Sequence, residues 1–329
     1  MKRKLNLLLK YVLSYNASDV HFTLVNHKLE VRVRGLNKIV DINDKKLSED
    51  LFYYLKYISN LDLGNSFLPQ SGNFSYVYKK QLLHFRFAYL HTFQTQSGVL
   101  RILNNHEKIK IMDLSLDKRQ NHIFESWTKF RSGLVLVSGP TGSGKSTTLH
   151  ALLDVIAENK KFNIITLEDP VEIHNDKYLQ LQVNEKMNFG FEEGIKQLLR
   201  HDPDVIMIGE VRDETTAKML IRCALSGHMV FTTIHAKSCK EAIKRLQEFG
   251  ISKTDLVETL TGITNQRIYK HKDFDRRVCV YEILEKEELK EVLETELLPN
   301  SYEDIKQKIK YAVEQNWISK QEAESDLIL

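Results

Sequence analysis

The first hundred residues show helical and strand-like patterns in turn. Apolar residues at helical spacing predict an amphipathic helix near the N-terminus: Leu5, Leu8, Leu9, Val12 and Leu13. Alternating apolar and polar residues predict two short strands at 21–25 and 29–34. A second amphipathic helix is predicted at 48–58, with Ser48 at its N-cap.

A clear period of two follows in the aromatic-rich stretch after that helix. It predicts strands at 74–78, 83–89 and 99–103, the first two forming an antiparallel pair with one buried face. Residues 1–105 are therefore expected to form a small α+β domain. Arginines fall on the opposite face or interrupt an apolar strand, and from the alternation alone they are most simply solvated surface residues: Arg32, Arg86 and Arg101.

A polar linker at 106–117 is predicted to join a second domain, 118–329, that ends in a helical tail. Apolar runs predict strands at 134–138, 163–167, 205–209 and 229–234. Helical patterns follow them from 145 and at 191–200, 213–225 and 239–249, the last ending at Gly250. Such alternation is typical of an α/β fold with a parallel sheet covered on both faces.

Composition excludes several classes of protein. The 329 residues are 42% hydrophobic and 28% charged, which is typical of a globular protein. The net charge of +3 is too small to indicate nucleic-acid binding by itself. Three widely spaced cysteines favour neither disulfides nor a zinc site. Without a signal peptide or a membrane-length apolar run, the protein is expected in the cytosol, at most peripherally bound to the membrane.

The segment LVLVSGPTGSGKSTTL at 134–149 carries the strongest chemical signal. A buried strand runs into the pattern G-x-x-x-x-G-K-[ST], the phosphate-binding loop of nucleoside triphosphatases. Its backbone N–H groups and the following helix N-terminus form an anion site. Lys145 is predicted to reach the β- and γ-phosphates, and Ser146 to ligate Mg²⁺. The predicted nucleotide-binding residues are Gly139, Pro140, Thr141, Gly142, Ser143, Gly144, Lys145, Ser146 and Thr147.

Acidic and basic side chains follow three other predicted strands. Glu168 and Glu210 each come directly after an apolar run, and His235 follows a third. Because functional groups gather at the carboxyl ends of parallel strands, these side chains are expected beside the phosphate loop. A carboxylate there can hold the attacking water or the Mg²⁺ shell, and a histidine can contact the γ-phosphate.

Together these motifs resemble the secretion and type IV pilus assembly ATPases. The matching segments are GPTGSGKSTT at 139–148, ITLEDPVEI at 165–173, the run from Gln182 to Asp213, GHMVFTTIHA at 227–236 and NQRI at 265–268. SDVHF at 18–22, Gln70–Gly72, Arg86 and VLRIL at 99–103 also match. The resemblance covers nearly the whole chain and implies a RecA-like ATPase domain preceded by a PAS-like domain.

The resemblance also implies roles for individual residues. Glu210 is implied to be the catalytic carboxylate that polarises water, and Glu168 the partner acid that organises Mg²⁺ and water. His235 corresponds to the histidine of the family's histidine box. Arg86 and Arg101 match first-domain arginines that swing onto the nucleotide, with Arg32 a weaker match. The implied cofactors are ATP and Mg²⁺, with no zinc, and the implied assembly is a homo-hexamer that drives an integral-membrane pilus platform protein and the pilus assembly machinery.

Departures from the family pattern favour one branch. The chain shows neither the extra N-terminal domain and zinc-binding cysteine pairs of longer secretion ATPases nor the C-terminal arginine motif of retraction ATPases. It therefore resembles most the competence pilus ATPases of Gram-positive bacteria. Lys186 and Lys196 stand where many relatives have arginine, which leaves their roles open.

Three alternatives remain to the competence pilus motor. One is a retraction or type II secretion motor with the same chemistry, and another is a nucleotide-gated scaffold that barely hydrolyses ATP. The third, a nucleic-acid translocase, needs a basic groove with aromatic residues for stacking. The sequence shows no such groove, so direct nucleic-acid binding is not expected.

Overall fold

The chain divides into two compact units, Met1–Glu107 and Lys108–Leu329. The computed structural model describes residues 1–15, 17–35, 39–64, 67–103, 109–159, 161–184 and 187–328. Residues 106–108 of the predicted linker, and Lys186, lie outside the described residues.

The first unit combines two helices with one antiparallel sheet. The helices are α1 (Lys2–Ser14) and α2 (Glu49–Ile58). The strands are β1 (Asp19–Val25), β2 (Lys28–Arg34), β3 (Ile39–Asp41), β4 (Gln70–Tyr78), β5 (Gln81–His91) and β6 (Thr95–Ile102). Their order in the sheet is β3-β2-β1-β6-β5-β4. All the helices and strands predicted for this region are confirmed, and β3 is additional.

One face of this sheet packs against both helices. Phe22, Phe52 and Phe87 meet edge to face, with ring centroids 5.8 to 6.2 Å apart. Gly98 allows this packing, because a Cβ at that position would lie 2.6 Å from Phe87 and 2.8 Å from Phe52. Buried and exposed residues alternate along β5, so His84 and Arg86 lie on the opposite face from the aromatic residues, as predicted.

The second unit is built on a larger sheet. Its strands are β7 (Gly133–Ser138), β8 (Ile164–Glu168), β9 (Leu179–Gln182), β10 (Val205–Ile208), β11 (Met229–Ile234), β12 (Leu260–Lys270) and β13 (Arg277–Glu285). Its helices are α3 (Lys118–Trp127), α4 (Lys145–Glu158), α5 (Phe191–Leu199), α6 (Glu214–Leu225), α7 (Cys239–Glu248), α8 (Lys253–Thr259), α9 (Lys286–Thr295), α10 (Ile305–Glu314) and α11 (Lys320–Ile328). A 3-10 turn, Ile111–Asp113, precedes α3.

Helices cover both faces of this sheet. In β7, Leu134 and Leu136 face the core formed with α5 to α9, whereas Val135 and Val137 face the core formed with α3 and α4. The strand order is β13-β12-β7-β11-β10-β8-β9. The predicted strands β7, β8, β10 and β11 pair in parallel as expected, and β9 is an additional parallel strand beside β8. None of the helices in the described segments has the length and apolarity needed to span a bilayer.

The C-terminal region corrects the expectation of a parallel sheet, whereas the predicted helical tail is present as α9, α10 and α11. Residues 260–285 form a hairpin in which β12 pairs in parallel with β7 and antiparallel with β13. Only α9, α10 and α11 of the described chain follow it. The sheet is therefore mixed. The apolar pattern did not reveal β12 because its centre is polar, yet Thr264, Asn265 and Gln266 are fully buried.

Candidate functional site

The phosphate loop lies between β7 and α4. Gly139, Gly142 and Gly144 have φ values of 144°, 78° and 85°, which other residues adopt only with strain. Gly139 is further constrained because a Cβ there would lie 2.6 Å from the Gln266 carbonyl oxygen. The loop thus turns back over the start of α4, where orphan N–H groups and the helix dipole favour an anion.

The side chains of the loop add one cation and four hydroxyls. The Lys145 ammonium donates to the carbonyl oxygens of Gly139 and Pro140, each at 3.0 Å. Burial lowers the pKa of this ammonium, and the charge of Glu210 opposes that shift. Ser146 is half-buried in the first turn of α4. Ser143 Oγ is buried without a hydrogen-bond partner among the described residues. The remaining predicted loop residues comprise Pro140 and Thr141, both exposed, and Thr147, half-buried.

Glu210 and His235 follow the ends of the neighbouring strands β10 and β11, as their spacing predicted. Glu210 Oε1 lies 3.5 Å from His235 Nε2, and Arg212 donates to Glu210 Oε2 at 3.0 Å. Arg212 also donates to Asp169 at 3.3 Å, so it bridges two strand ends. Burial lowers the pKa of His235, and the charge of Lys145 lowers it further. The imidazole is therefore neutral at pH 7, beside a carboxylate whose orientation Arg212 fixes.

Glu168 ends β8 and is buried, with 4% of its surface exposed. Its Oε1 accepts hydrogen bonds from Thr166 Oγ1 at 2.7 Å and from Gln180 Nε2 at 3.1 Å. Its Oε2 lies 3.4 Å from Nε2 of His150, a buried residue of α4. Sequence reasoning missed His150 and Gln180, because α4 and β9 meet β8 only in the folded unit.

The oxygen donors at this edge fit a magnesium–nucleotide complex. Mg²⁺ prefers oxygen ligands and is held by one or two side chains together with phosphates and water. Ser146, Glu168 and Glu210 supply such oxygens. Across the described residues, no group of three or more His, Cys, Asp or Glu could hold a metal by itself. A metal here would therefore depend on the nucleotide for most of its ligands.

The three predicted arginines lie in the first unit. Arg86 and Arg101 are direct cross-strand partners of β5 and β6. Arg101 is in turn opposite Asp19, whose Oδ1 accepts from its Nε at 2.8 Å. Arg32 lies on β2 opposite His21. Arg86 and Arg101 are therefore brought together in one row, with Arg32 in the neighbouring row of the same face.

The carboxyl of Glu282, on β13, is buried beside the start of α7. That helix begins a few residues after His235. Glu282 Oε1 accepts from the Tyr302 hydroxyl at 2.5 Å and from the Cys239 N–H at 3.2 Å. Burial raises the pKa of Glu282 to about 7. Its Oε2 is buried with no hydrogen-bond partner within the described segments. Ionisation of this carboxyl therefore costs stability.

We expect Glu282→Gln to flatten the pH dependence of unfolding. The native state binds the Glu282 proton more tightly than the unfolded state, so its contribution is complete below about pH 4.5 and is lost as pH rises to about 7. Across that window the natural chain should lose about 3 kcal/mol relative to the variant. Urea unfolding at pH 4.5 and pH 7.5 measures this, with the exposed Glu314→Gln as the control. Parallel pH profiles for all three proteins would contradict it.

Comparison with known proteins identifies similar chains. The family described as Type II/IV secretion system protein matches residues 1–288. Competence protein ComGA of Bacillus subtilis (strain 168) is 37% identical over 254 residues, which are 77% of this chain and 71% of that protein. ComGA of Halalkalibacterium halodurans is 31% identical over 341 residues, covering 97% of this chain and 96% of that protein.

Similar chains also occur among secretion and pilus retraction proteins. Type II secretion system protein E of Pseudomonas aeruginosa is 34% identical over 271 residues, but this chain spans only 54% of its length. Among solved structures, the pilus retraction motor PilT with bound ADP has a TM-score of 0.77 at 26% identity, covering 97% of this chain and 96% of that one. The Legionella pneumophila ATPase DotB has a TM-score of 0.77 at 22% identity, which shows a shared fold.

Proposed function

Because the chain belongs to the Type II/IV secretion system protein family of motor ATPases, we propose that it hydrolyses ATP to power assembly of a competence pilus for DNA uptake. The observation that carries this proposal is the phosphate loop with Glu210 and His235 at the neighbouring strand ends. The competence branch is supported by the two ComGA relatives. The second unit is then a RecA-like motor domain, and the first a PAS-like domain.

The phosphate loop binds the nucleotide in this proposal. Its backbone N–H groups and Lys145 hold the β- and γ-phosphates, and burial of Lys145 strengthens its attraction for them. Ser146 and, through water, Glu168 and Glu210 would hold Mg²⁺. Bound Mg²⁺ neutralises charge on the phosphate oxygens.

Glu210 orients and polarises the attacking water. Arg212 holds one carboxylate oxygen, and the other faces the neutral imidazole of His235. Such a carboxylate can accept the proton that the water loses as it attacks. His235 can then hydrogen-bond the γ-phosphate or the water. Glu168, held by Thr166 and Gln180, is the partner acid.

Arg86 and Arg101 couple hydrolysis to movement. We propose that the first unit closes over the nucleotide, so that both arginines neutralise charge that develops in the transition state. Arg32 assists with nucleotide binding. In a homo-hexamer this closure would be transmitted to an integral-membrane platform protein at the inner face of the cell membrane.

Arg86→Ala is expected to lower the ATPase rate of assembled protein by more than about tenfold while ATP still binds. Activity per chain of the natural protein should rise with protein concentration as rings form. Steady-state hydrolysis across a concentration series measures both effects, with the exposed Arg3→Ala of the same unit as a control. If activity per chain did not depend on protein concentration and Arg86→Ala left the ATPase rate unchanged, the closure mechanism would be contradicted and a nucleotide-gated scaffold favoured.

A retraction motor is the second candidate, because the PilT structure matches nearly the whole chain. The two functions share their chemistry and differ in the direction of work. Complementation of a strain that lacks this chain separates them. Absence of pili without the protein supports assembly, whereas excess pili support retraction.

A further inference from the structure

The centre of β12 is unusually polar for a strand between two others. Thr264, Asn265 and Gln266 have no exposed surface, and β12 pairs with β7 on one side and β13 on the other. A buried polar group costs free energy unless it is hydrogen-bonded. The partners of these side chains therefore indicate why polar residues occupy this strand.

Asn265 joins the ends of two strands that carry the site. Its Nδ2 donates to Ser138 Oγ at 2.8 Å and to the Ala236 carbonyl at 3.0 Å. Ser138 immediately precedes the phosphate loop, and Ala236 immediately follows His235. Its Oδ1 accepts from Arg267 at 2.7 Å, which fixes the amide orientation. This single side chain therefore sets where His235 stands relative to the loop.

Gln266 holds the other end of the phosphate loop. Its Nε2 donates to the Ser143 carbonyl at 2.5 Å, and its Oε1 accepts from Thr148 Oγ1 at 3.0 Å. Its own carbonyl oxygen occupies the place that a side chain at Gly139 would need. Gln266 thus contacts the start of the loop, its end and the helix α4 that follows.

We propose that Asn265 and Gln266 are positioning residues with separable effects: Gln266 sets nucleotide affinity and Asn265 sets turnover. The proposal deepens the ATPase function proposed above and rests on it. Gln266 shapes the loop, which binds phosphates in the ground state and the transition state alike. An interaction of that kind changes affinity. Asn265 positions His235, whose contact matters as the γ-phosphate is transferred, so its loss lowers the turnover number kcat.

Two near-isosteric variants and a matched control test whether the effects on affinity and on turnover are separable. Gln266→Glu and Asn265→Asp each replace the donating NH2 by an oxygen that faces an existing acceptor. Asn121→Asp is the control. Asn121 is also fully buried in the second unit, and its Nδ2 donates to the carbonyls of Met112 at 2.7 Å and Ser115 at 2.9 Å. Asn121→Asp therefore measures how much the same kind of substitution destabilises the fold at a position away from the site.

The measurements are ADP binding by calorimetry, steady-state ATP hydrolysis and thermal unfolding. Gln266→Glu should weaken ADP binding about tenfold or more. Asn265→Asp should keep ADP binding within about threefold of the natural chain and lower kcat about tenfold or more. Asn121→Asp should lower the melting temperature comparably and change neither quantity. If a variant fails to fold, Thr148→Val replaces the test of Gln266 and Ser138→Ala that of Asn265.

The outcomes separate this inference from the proposed function. If the natural chain hydrolyses ATP but both site variants behave like the control, the positioning roles are wrong and the ATPase function stands. If ADP affinity and kcat fell together in both variants, the claim that the two residues have separable effects would also be wrong. If the natural chain binds ADP without hydrolysing ATP, the ATPase function fails, and with it the turnover role of Asn265. ADP binding still tests Gln266 in that case.

Discussion

Glu210→Gln should lower ATP turnover by about 100-fold or more while ATP and ADP still bind. The substitution keeps the shape of the side chain but removes the negative charge that we propose polarises water and accepts its proton. Arg212 and His235 remain as neighbours, so the surrounding packing is retained. Steady-state and single-turnover hydrolysis measure the loss, and calorimetry measures binding.

Two further variants make this test specific. Glu214→Gln, four residues along, changes an exposed glutamate that pairs only with Lys218 in the described region, and should leave turnover unchanged. Glu168→Gln shows whether the buried acid acts instead. A drop confined to Glu168→Gln would transfer the role of water activation to that residue and overturn the assignment of Glu210.

Lys145→Met should weaken ATP binding by about 100-fold or more, because the variant loses the cation that we propose contacts the β- and γ-phosphates. Methionine keeps much of the apolar stem, so packing against the loop is largely preserved. Removing the ammonium loses its hydrogen bonds to the Gly139 and Pro140 carbonyl oxygens but also relieves the burial of a charge, which lowers its pKa, so the melting temperature of the nucleotide-free protein should change little. Equilibrium ATP binding and thermal unfolding provide the two measurements.

The exposed Lys218→Met on α6 is the control for this change. It should leave both ATP binding and turnover intact, since Lys218 contacts Glu214 on the helix surface. ATP affinity in Lys145→Met within threefold of the natural value would place the phosphates elsewhere and contradict the loop assignment. A large fall in melting temperature would instead show that Lys145 has a structural role.

Much of the candidate site could be predicted from residues that are neighbours in the sequence. The apolar run at 134–138, the glycines of the loop and Lys145 are adjacent in the chain, so their geometry follows from local backbone preferences. The positions of Glu210 and His235 follow from one topological rule, that parallel strands end at the same edge of a sheet. The 3.5 Å approach of their side chains agrees with that rule.

Other features escaped prediction because long-range contacts override the local signal. Asn265 and Gln266 interrupt the hydrophobic pattern of β12. Without partners from distant parts of the chain, their polar side chains would be buried unpaired, so local pattern does not predict a buried strand here. In the folded unit their partners lie 118 to 127 residues away, at Ser138, Ser143 and Thr148. Glu168 shows the same limit, because its burial depends on His150 from α4 and Gln180 from β9.

The sequence by itself determined the α/β class, the nucleotide-binding loop and the strand ends that carry acids and a histidine. These features depend on the identity and spacing of neighbouring residues, which act through backbone conformation and side-chain periodicity. Only the tertiary structure decided that the sheet is mixed, that Glu168 is buried and that β12 holds both ends of the phosphate loop. Each of these depends on which distant segments pack together, and the energy of a buried polar group is set by the partner that it finds there.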